Sequence, residues 1–564
     1  MSRYQYRLPS SVEMRDAIRK WTPALIIALF AFRLLFGLSN EFFFEDETQI
    51  FLMGFRYYAT GQWPYFGPDV VWTKSEIPGA LQPWLVGAPL KLVPVPESPF
   101  VLLNLLSAAS LAALALFVSR RVPSIPRWLI WGWFFTVPWT LNYSTHIINP
   151  SYVLPAAVVF FIGFFEAAPA FRFGTIRPAL AYGMMGAAAT WVMQIHMAWP
   201  LLIPYVAYAW LTSRRDGSAA LARRALAFLA GALGPAIFLI PTWLHYGFNA
   251  GSGGVGRNLH VHWVNPSMAV TTLARFLSFA SLEINRFIAT DGAKRIEFFQ
   301  RHLWLFPLAA LVWAAGIVQP LWMVIEWVRR RGVSQPMWQP LRRLVASSVL
   351  LVYGSYWFVM EPPQAHAFYL LAPIALVFAA YCWSFVDSPQ TRKLAAVVLA
   401  ANVAFHAGLA VAQAPVKSLY KHRALVAAAI RLKQPEMFAH RRAFAIDGGP
   451  ARLADPSRPY DPRRDIAVIN PTCQVGLARS TNWDLSVRND NPRVAFRDLL
   501  YVTNYRDAAG HLVDERHEFI KDIFEPGEVR HLTVNDGYVR PTFATASIEI
   551  VAAEALLPVP EFSK

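Results

Sequence analysis

Apolar runs of membrane-spanning length recur along this chain from residue 21 to residue 412, and no other feature restricts its fold as severely. A helix needs about 17–25 predominantly apolar residues to cross a bilayer. Runs near 21–39, 98–119, 129–145, 151–169, 178–195, 198–212, 225–243, 303–327, 344–360, 367–386 and 394–412 meet or approach that length, and a short apolar helix is expected near 80–93. Only 16% of the 564 residues are charged, against roughly 25% in soluble globular chains. The expected fold is therefore a polytopic α-helical membrane protein, with about eleven transmembrane helices over residues 1–412.

Charge sets the orientation. With residues 1–20 inside, the inner stretches 1–20, 119–128, 170–177, 213–224, 328–343 and 387–393 carry 21 Lys and Arg, while the outer connectors 142–150 and 361–366 carry none. That is the positive-inside pattern. It predicts a multi-pass protein of the cell inner (plasma) membrane, with the N-terminus cytoplasmic and residues 413–564 extracytoplasmic. The net charge of +16 is then a topology signal, so nucleic acid is not an expected partner. No cleavage motif follows the first apolar run, which reads as a retained helix. Cys382 and Cys473 lie in an apolar run and a polar tail, with neither disulfide nor metal-type spacing.

Residues 413–564 change character. After a helical stretch, "YKHRALVAAAIRLK", come the strand patterns "NWDLSVRN", "FRDLLYVTNY", "VRHLTV" and "ASIEIVAAE", punctuated by turns at 489–492, 507–510 and 525–527. Alternation puts Trp483, Leu485 and Val487 on one face. A small β-sandwich-like domain is expected, without a catalytic constellation, as a packing or recognition module.

Two long outer loops, 40–97 and 244–302, frame the site question. The first opens on Glu45, Asp46 and Glu47, continues through an amphipathic stretch, and reaches "WTKSEIPGALQPWL". Alone, three acids read either as a solvated helix cap or as a functional edge. His146, Gln194, His196, His366 and Tyr369 also fall at outer ends of spans, where polar groups must find partners. In the second loop, "NAGSGGVGRNLHVHW" lacks the ending of a phosphate-binding P-loop and reads as a lid. The following "FLSFASLEINRFI" reads as an amphipathic surface helix carrying a Glu283–Arg286 surface pair. Arg33 and Glu166, inside spans, are expected to snorkel.

The stretch "DETQIFLMGFRYYATGQWPY…TKSEIPGALQPWLVGAPLKL" resembles the first extracytoplasmic loop of GT-C fold glycosyltransferases, in particular the aminoarabinose transferase and protein O-mannosyltransferase group. The resembling features are the acid pair after the first helix, the Gly61-Gln62-Trp63 turn, and Lys74 before Pro78. "GMMGAAATWVMQIHMAWPLLIP" and "QAHAFYLLAPIALVF" resemble later helices of that group. The resemblance implies an inverting enzyme that moves a sugar from a polyprenyl-phosphate donor, among membrane lipids, to a glycan, lipid or protein acceptor. It implies Asp46 as general base, with Glu47 orienting the acceptor. Lys74 and Arg56 would meet the lipid phosphate, and His146, Asn149, Gln194, His196, His366 and Tyr369 would line the substrate cavity. Asn149 stands where the group has a second acid and Gln49 where the aminoarabinose transferases have an Arg, so no cofactor is expected and a divalent metal is not supported. The alternatives are a transporter or flippase of a lipid-linked substrate, and a catalytically inactive relative.

Overall fold

The computed structural model describes residues 11–40, 50–248, 261–289, 292–358, 365–417 and 460–556, apart from residues 52, 56, 59–60, 62, 71–74, 94, 96, 336, 476–479 and 539–542. Each of the eleven apolar runs contains helix. In chain order these are α1 (Ser11–Ser39), α3 (Ser98–Arg121), the pair α4 (Arg127–Thr136) and α5 (Pro138–Ser144), α6 (Val153–Ala167), α7 (Pro178–Met193), α8 (Ile203–Thr212), α9 (Ser218–Ala236), α14 (Phe306–Arg329), α15 (Trp338–Ser355), α16 (Ala372–Ser384) and α17 (Pro389–Lys417). The short helix α2 (Leu81–Leu92) stands where the apolar stretch at 80–93 predicts it. Among the described residues Ser98–Arg121, Leu303–Arg329 and Pro389–Ala414 are each long and apolar enough to cross a membrane. A fourth candidate is α9 joined to α10 (Ile240–Tyr246), bent by 72°. The shorter apolar helices do not reach that length singly. Lipid-facing character shows on the outside: Leu226, Leu229 and Leu233 on α9, and Ile317, Val318 and Leu321 on α14, are all more than half exposed, as a surface against hydrocarbon requires.

Two local chemistries shape the bundle. The first is close backbone approach. A Cβ on Gly186 would overlap the carbonyl of Phe228, and one on Gly231 would overlap the carbonyl of Gly183, so α7 and α9 meet main chain to main chain. Small residues permit this packing, which dispersion favours where no hydrophobic drive separates helix from lipid. The second is a break. Pro138 forces Val137 out of helical geometry (ψ 143°), ending α4 and starting α5. The carbonyls this frees sit in an apolar interior and need donors. Arg33 on α1 supplies them, its Nη1 donating to Phe135 O at 2.8 Å and its Nη2 to Thr140 O at 3.2 Å and Ser144 Oγ at 2.8 Å. Asn402 on α17 donates to Thr136 O at 2.5 Å, and Thr140 to Phe134 O at 2.8 Å. A cation at a helix C-terminus also meets the negative end of the dipole.

Arg33 is therefore fully buried and does not snorkel. Glu166 does not either. It is buried in an ion pair with Arg121, and its Oε2 accepts from the backbone of Gly174 at 2.9 Å and Thr175 at 3.1 Å.

Two hairpin strands that the sequence pattern does not announce, β1 (Phe66–Val70) and β2 (Ser75–Pro78), pair antiparallel in the first long loop, Phe66 opposite Pro78. At the other end of the chain, six strands follow the one-turn helix at Pro462–Asp465. These are β3 (Ile466–Val475), β4 (Ser480–Asn489), β5 (Ala495–Arg506), β6 (Leu512–Phe524), β7 (Val529–Tyr538) and β8 (Thr545–Leu556), in two antiparallel three-stranded sheets ordered β3-β4-β7 and β6-β5-β8. Trp483, Leu485 and Val487 share the buried face and join Phe496, Tyr501 and Ile550 of the other sheet in one apolar cluster. Asp536 lies within it, accepting from Trp483 Nε1 at 3.0 Å, Tyr501 OH at 3.1 Å and Tyr505 OH. The expected turns hold: Gly510 and Gly527 take positive φ between β5 and β6 and between β6 and β7.

Candidate functional site

At the bundle end reached by residues 142–150 and the first long loop, polar side chains from six segments gather. The expected surface helix does not form there. Phe279 and Ala280 both take left-handed backbone (φ 52° and 60°). They divide the segment into α11 (Ser267–Leu277), a 3-10 turn at Ser281–Glu283 and α12 (Ile284–Ile288). Two consecutive non-glycine residues in that region are costly and persist only where surrounding packing enforces them. Here Phe279 O accepts the backbone N–H of Trp139 at 2.8 Å and both residues are buried.

The turn delivers Glu283 into the interior, 6% exposed. It is no surface partner of Arg286. Its Oε1 pairs with Arg275 Nε at 2.9 Å and accepts from the backbone N–H of Ala365 at 3.1 Å. Its Oε2 accepts from Tyr143 OH at 3.4 Å. Arg286 lies beside the same tyrosine. The ring of Tyr143 stands 6.3 Å from that of His366 and 5.6 Å from that of Tyr369. His366 thus faces Arg286, Arg275 and His196. Burial first, then Arg286, His196 and Arg275, push its pKa down to about 3. Burial lowers that of His196 to about 4, and its Nδ1 accepts from the backbone of Ala198 at 3.1 Å, which leaves the proton of the neutral ring on Nε2. Both histidines are neutral near pH 7.

The other sequence-predicted residues form two further groups. His146 packs its ring 5.5 Å from Phe36, whose ring also lies 5.5 Å from that of His406. Asn149 meets Gln82, and Gln194 meets Gly79, three residues before Gln82. The amide of Gln82 donates to Asn149 O at 3.2 Å, and Gln194 donates to Thr190 O at 3.2 Å and Pro235 O at 2.9 Å. The hairpin β1–β2 and α2 cover this group. Gly79 (φ 111°) abuts Gln194 so closely that a Cβ would overlap its amide oxygen. Tyr65 stacks on His245 of α10 at 4.9 Å and accepts from Thr242 Oγ1 at 2.5 Å, holding the hairpin against that helix.

Asp46, Glu47, Arg56, Lys74 and the Gly-rich stretch 249–260 lie outside the described residues. Among the described residues no group of three His, Cys, Asp or Glu is placed to hold a metal ion. Sequence reasoning missed Arg275, Tyr143 and Gln82, and misplaced Glu283 and Arg286. An acid and an arginine at i, i+3 carry the same spacing whether they share a helix face or flank a buried turn.

No protein-family model and no curated protein matches the chain. Among solved structures it is similar to ArnT from Cupriavidus metallidurans in the apo state, at 10% identity and a TM-score of 0.46, over 74% of this chain and 80% of that one.

Proposed function

We propose that this chain is an inverting glycosyltransferase of the cell inner membrane, taking a sugar from a polyprenyl-phosphate donor to an acceptor hydroxyl on the extracytoplasmic side. The observation that carries the reading is that, among the described residues at one end of the bundle, two arginines, Arg275 and Arg286, stand beside one carboxylate, Glu283. Glu283 is already paired with Arg275, while Arg286 lies beside the phenol of Tyr143, next to His366. A cation beside a neutral hydroxyl, next to a second arginine, suits a ligand that brings its own negative charge. A lipid phosphate at the membrane surface is such a ligand.

In the reaction, the acceptor oxygen attacks the anomeric carbon from the face opposite the phosphate. Its proton passes to a carboxylate, assigned to Asp46 with Glu47 orienting the acceptor. The bond between the anomeric carbon and the phosphate oxygen breaks, and the electron pair stays on the phosphate. Arg286 and Arg275 stabilise that charge as it develops, with Lys74 and Arg56 as further phosphate ligands and Tyr369 and His146 as cavity lining. The transporter alternative calls for a helix break that lines a cavity. At the break at Val137 the carbonyls of Phe135 and Thr136 are already taken by Arg33 and Asn402.

Sugar transfer from radiolabelled polyprenyl-phosphate sugars in proteoliposomes tests this. Wild type should turn over at least one donor, and Asp46→Asn should abolish turnover while remaining folded. Turnover equal to wild type in Asp46→Asn removes the assigned base. Donor binding without turnover in either form favours the transporter or the inactive relative.

A further inference from the structure

Gln82, in the first turn of α2, donates to the backbone of Asn149 in the connector after α5, and Gln194, at the C-terminus of α7, sets its amide oxygen against Gly79, three residues before Gln82. Each of Gln82, Asn149 and Gln194 has a buried side-chain carbonyl oxygen with no hydrogen-bond partner. The orientation of the two glutamine amides follows from their NH2 groups, which point at carbonyls: Gln82 at Asn149 O, and Gln194 at Thr190 O and Pro235 O. Turning either amide over would set oxygen against oxygen, so the unpaired atoms are acceptors. Gln82 and Gln194 are themselves wholly buried, and Asn149 is partly exposed and opens the group toward the surface. A buried acceptor left unmade is expensive, and apolar side chains would fill these positions at lower cost.

We propose that these three amide oxygens form a subsite for the hydrogen-bond donors of a sugar, its hydroxyl or amino groups. Carbonyl oxygens accept from such groups and repel anions. The subsite therefore complements the arginine pole around Arg286, and between them the two would sort a glycosyl phosphate into its sugar and its phosphate. Three oxygens are too few for a hard cation such as Ca2+, which takes about 6–8. The inference rests on the glycosyltransferase reading and adds which residues read the sugar.

The test measures binding of bare polyprenyl phosphate, and of the same lipid bearing glucose, mannose or arabinose, to the purified full-length chain in lipid nanodiscs. In wild type at least one sugar should raise affinity over the bare lipid by about tenfold or more. Gln82→Met, which gives up a single hydrogen bond of its own, should lose most of that gain and leave bare-lipid affinity unchanged. Gln194→Met should do the same if it folds. Deoxy analogues of the preferred sugar, used on wild type alone, should lose a similar factor at the recognised hydroxyl and none elsewhere. A sugar gain that survives in the variants overturns the subsite. So does bare-lipid binding that no sugar improves, since the oxygens then hold water only. Failure of wild type to bind any of these lipids overturns the glycosyltransferase reading itself.

Discussion

Two buried carboxylates lie toward opposite ends of this bundle, each paired with an arginine, and they differ in what surrounds the pair. Glu166 is closed on every side. Arg121 takes one oxygen, two backbone N–H groups take the other, and the guanidinium is stacked between Phe117 at 3.4 Å and Phe173 at 4.8 Å. Glu283 has Arg275, Ala365 and Tyr143, but a second arginine stands beside it and Arg275 keeps about a quarter of its side chain exposed. The first arrangement balances its charge internally and staples α3 to α6 and the loop that follows. Among the described residues the second sets two arginines beside one carboxylate. A buried ion pair is thus a structural fitting or part of a binding site according to whether its neighbours complete the charge balance.

The widest separation between the two should appear with Arg286→Gln. Turnover should fall by about 100- to 1000-fold with little change in melting temperature, measured by transfer assay and thermal unfolding on one preparation. A fall in both together would make Arg286 a staple like Arg121. Arg121→Leu should behave in reverse, costing about 3–5 kcal/mol because Glu166 is left buried and unpaired. Protein that does fold should turn over normally, and a selective loss of turnover would break the contrast.

Acid should act on the open end. His366 and His196 titrate near 3 and 4 in the folded chain, below the ordinary value of about 6.5. Between those values the unfolded state binds more protons. Stability is therefore complete above about pH 6.5 and falls with acid, by up to about 1.4 kcal/mol per pH unit for each histidine. His366→Asn should flatten that slope, as read from melting temperature between pH 7 and 5, and an unchanged slope would remove His366 from the account. At the α7–α9 contact, Gly231→Ala should cost about 1–3 kcal/mol through overlap with Gly183. Because the strain is remote from both arginine pairs, turnover per folded molecule should not change.

Much of the scaffold is legible in the sequence. Uninterrupted apolar runs locate helices at all eleven segments, and strict alternation puts Trp483, Leu485 and Val487 on the inner face of β4. What the pattern hides has specific causes. "FGPDV" and "SEIP" lack alternation and carry Gly or Pro, so β1 and β2 look like loop. In "IAVINPTCQV", Asn470 adopts left-handed backbone (φ 48°) ahead of a proline, an irregularity that disguises β3. In "LVDERHEFIKDIF" charges crowd the strand and mask β6. At the candidate site, Tyr369 and His366 follow from their place at the end of a span. Glu283 does not, since its burial depends on two left-handed residues, Phe279 and Ala280, that no helical period foretells. Gln82 sits in "GALQPWL" without charge or motif, and only the silence around its carbonyl oxygen marks it.

The capped break at Val137 has a consequence for how the chain is made. Ribosomes deliver α1 to the membrane before α4 and α5, so the guanidinium of Arg33 is in place when the interrupted helix arrives with its carbonyls bare. Asn402 follows only with the last span of the body. Between those two moments Arg33 and Thr140 share the duty, and the first helix serves the fourth and fifth as a built-in escort through assembly.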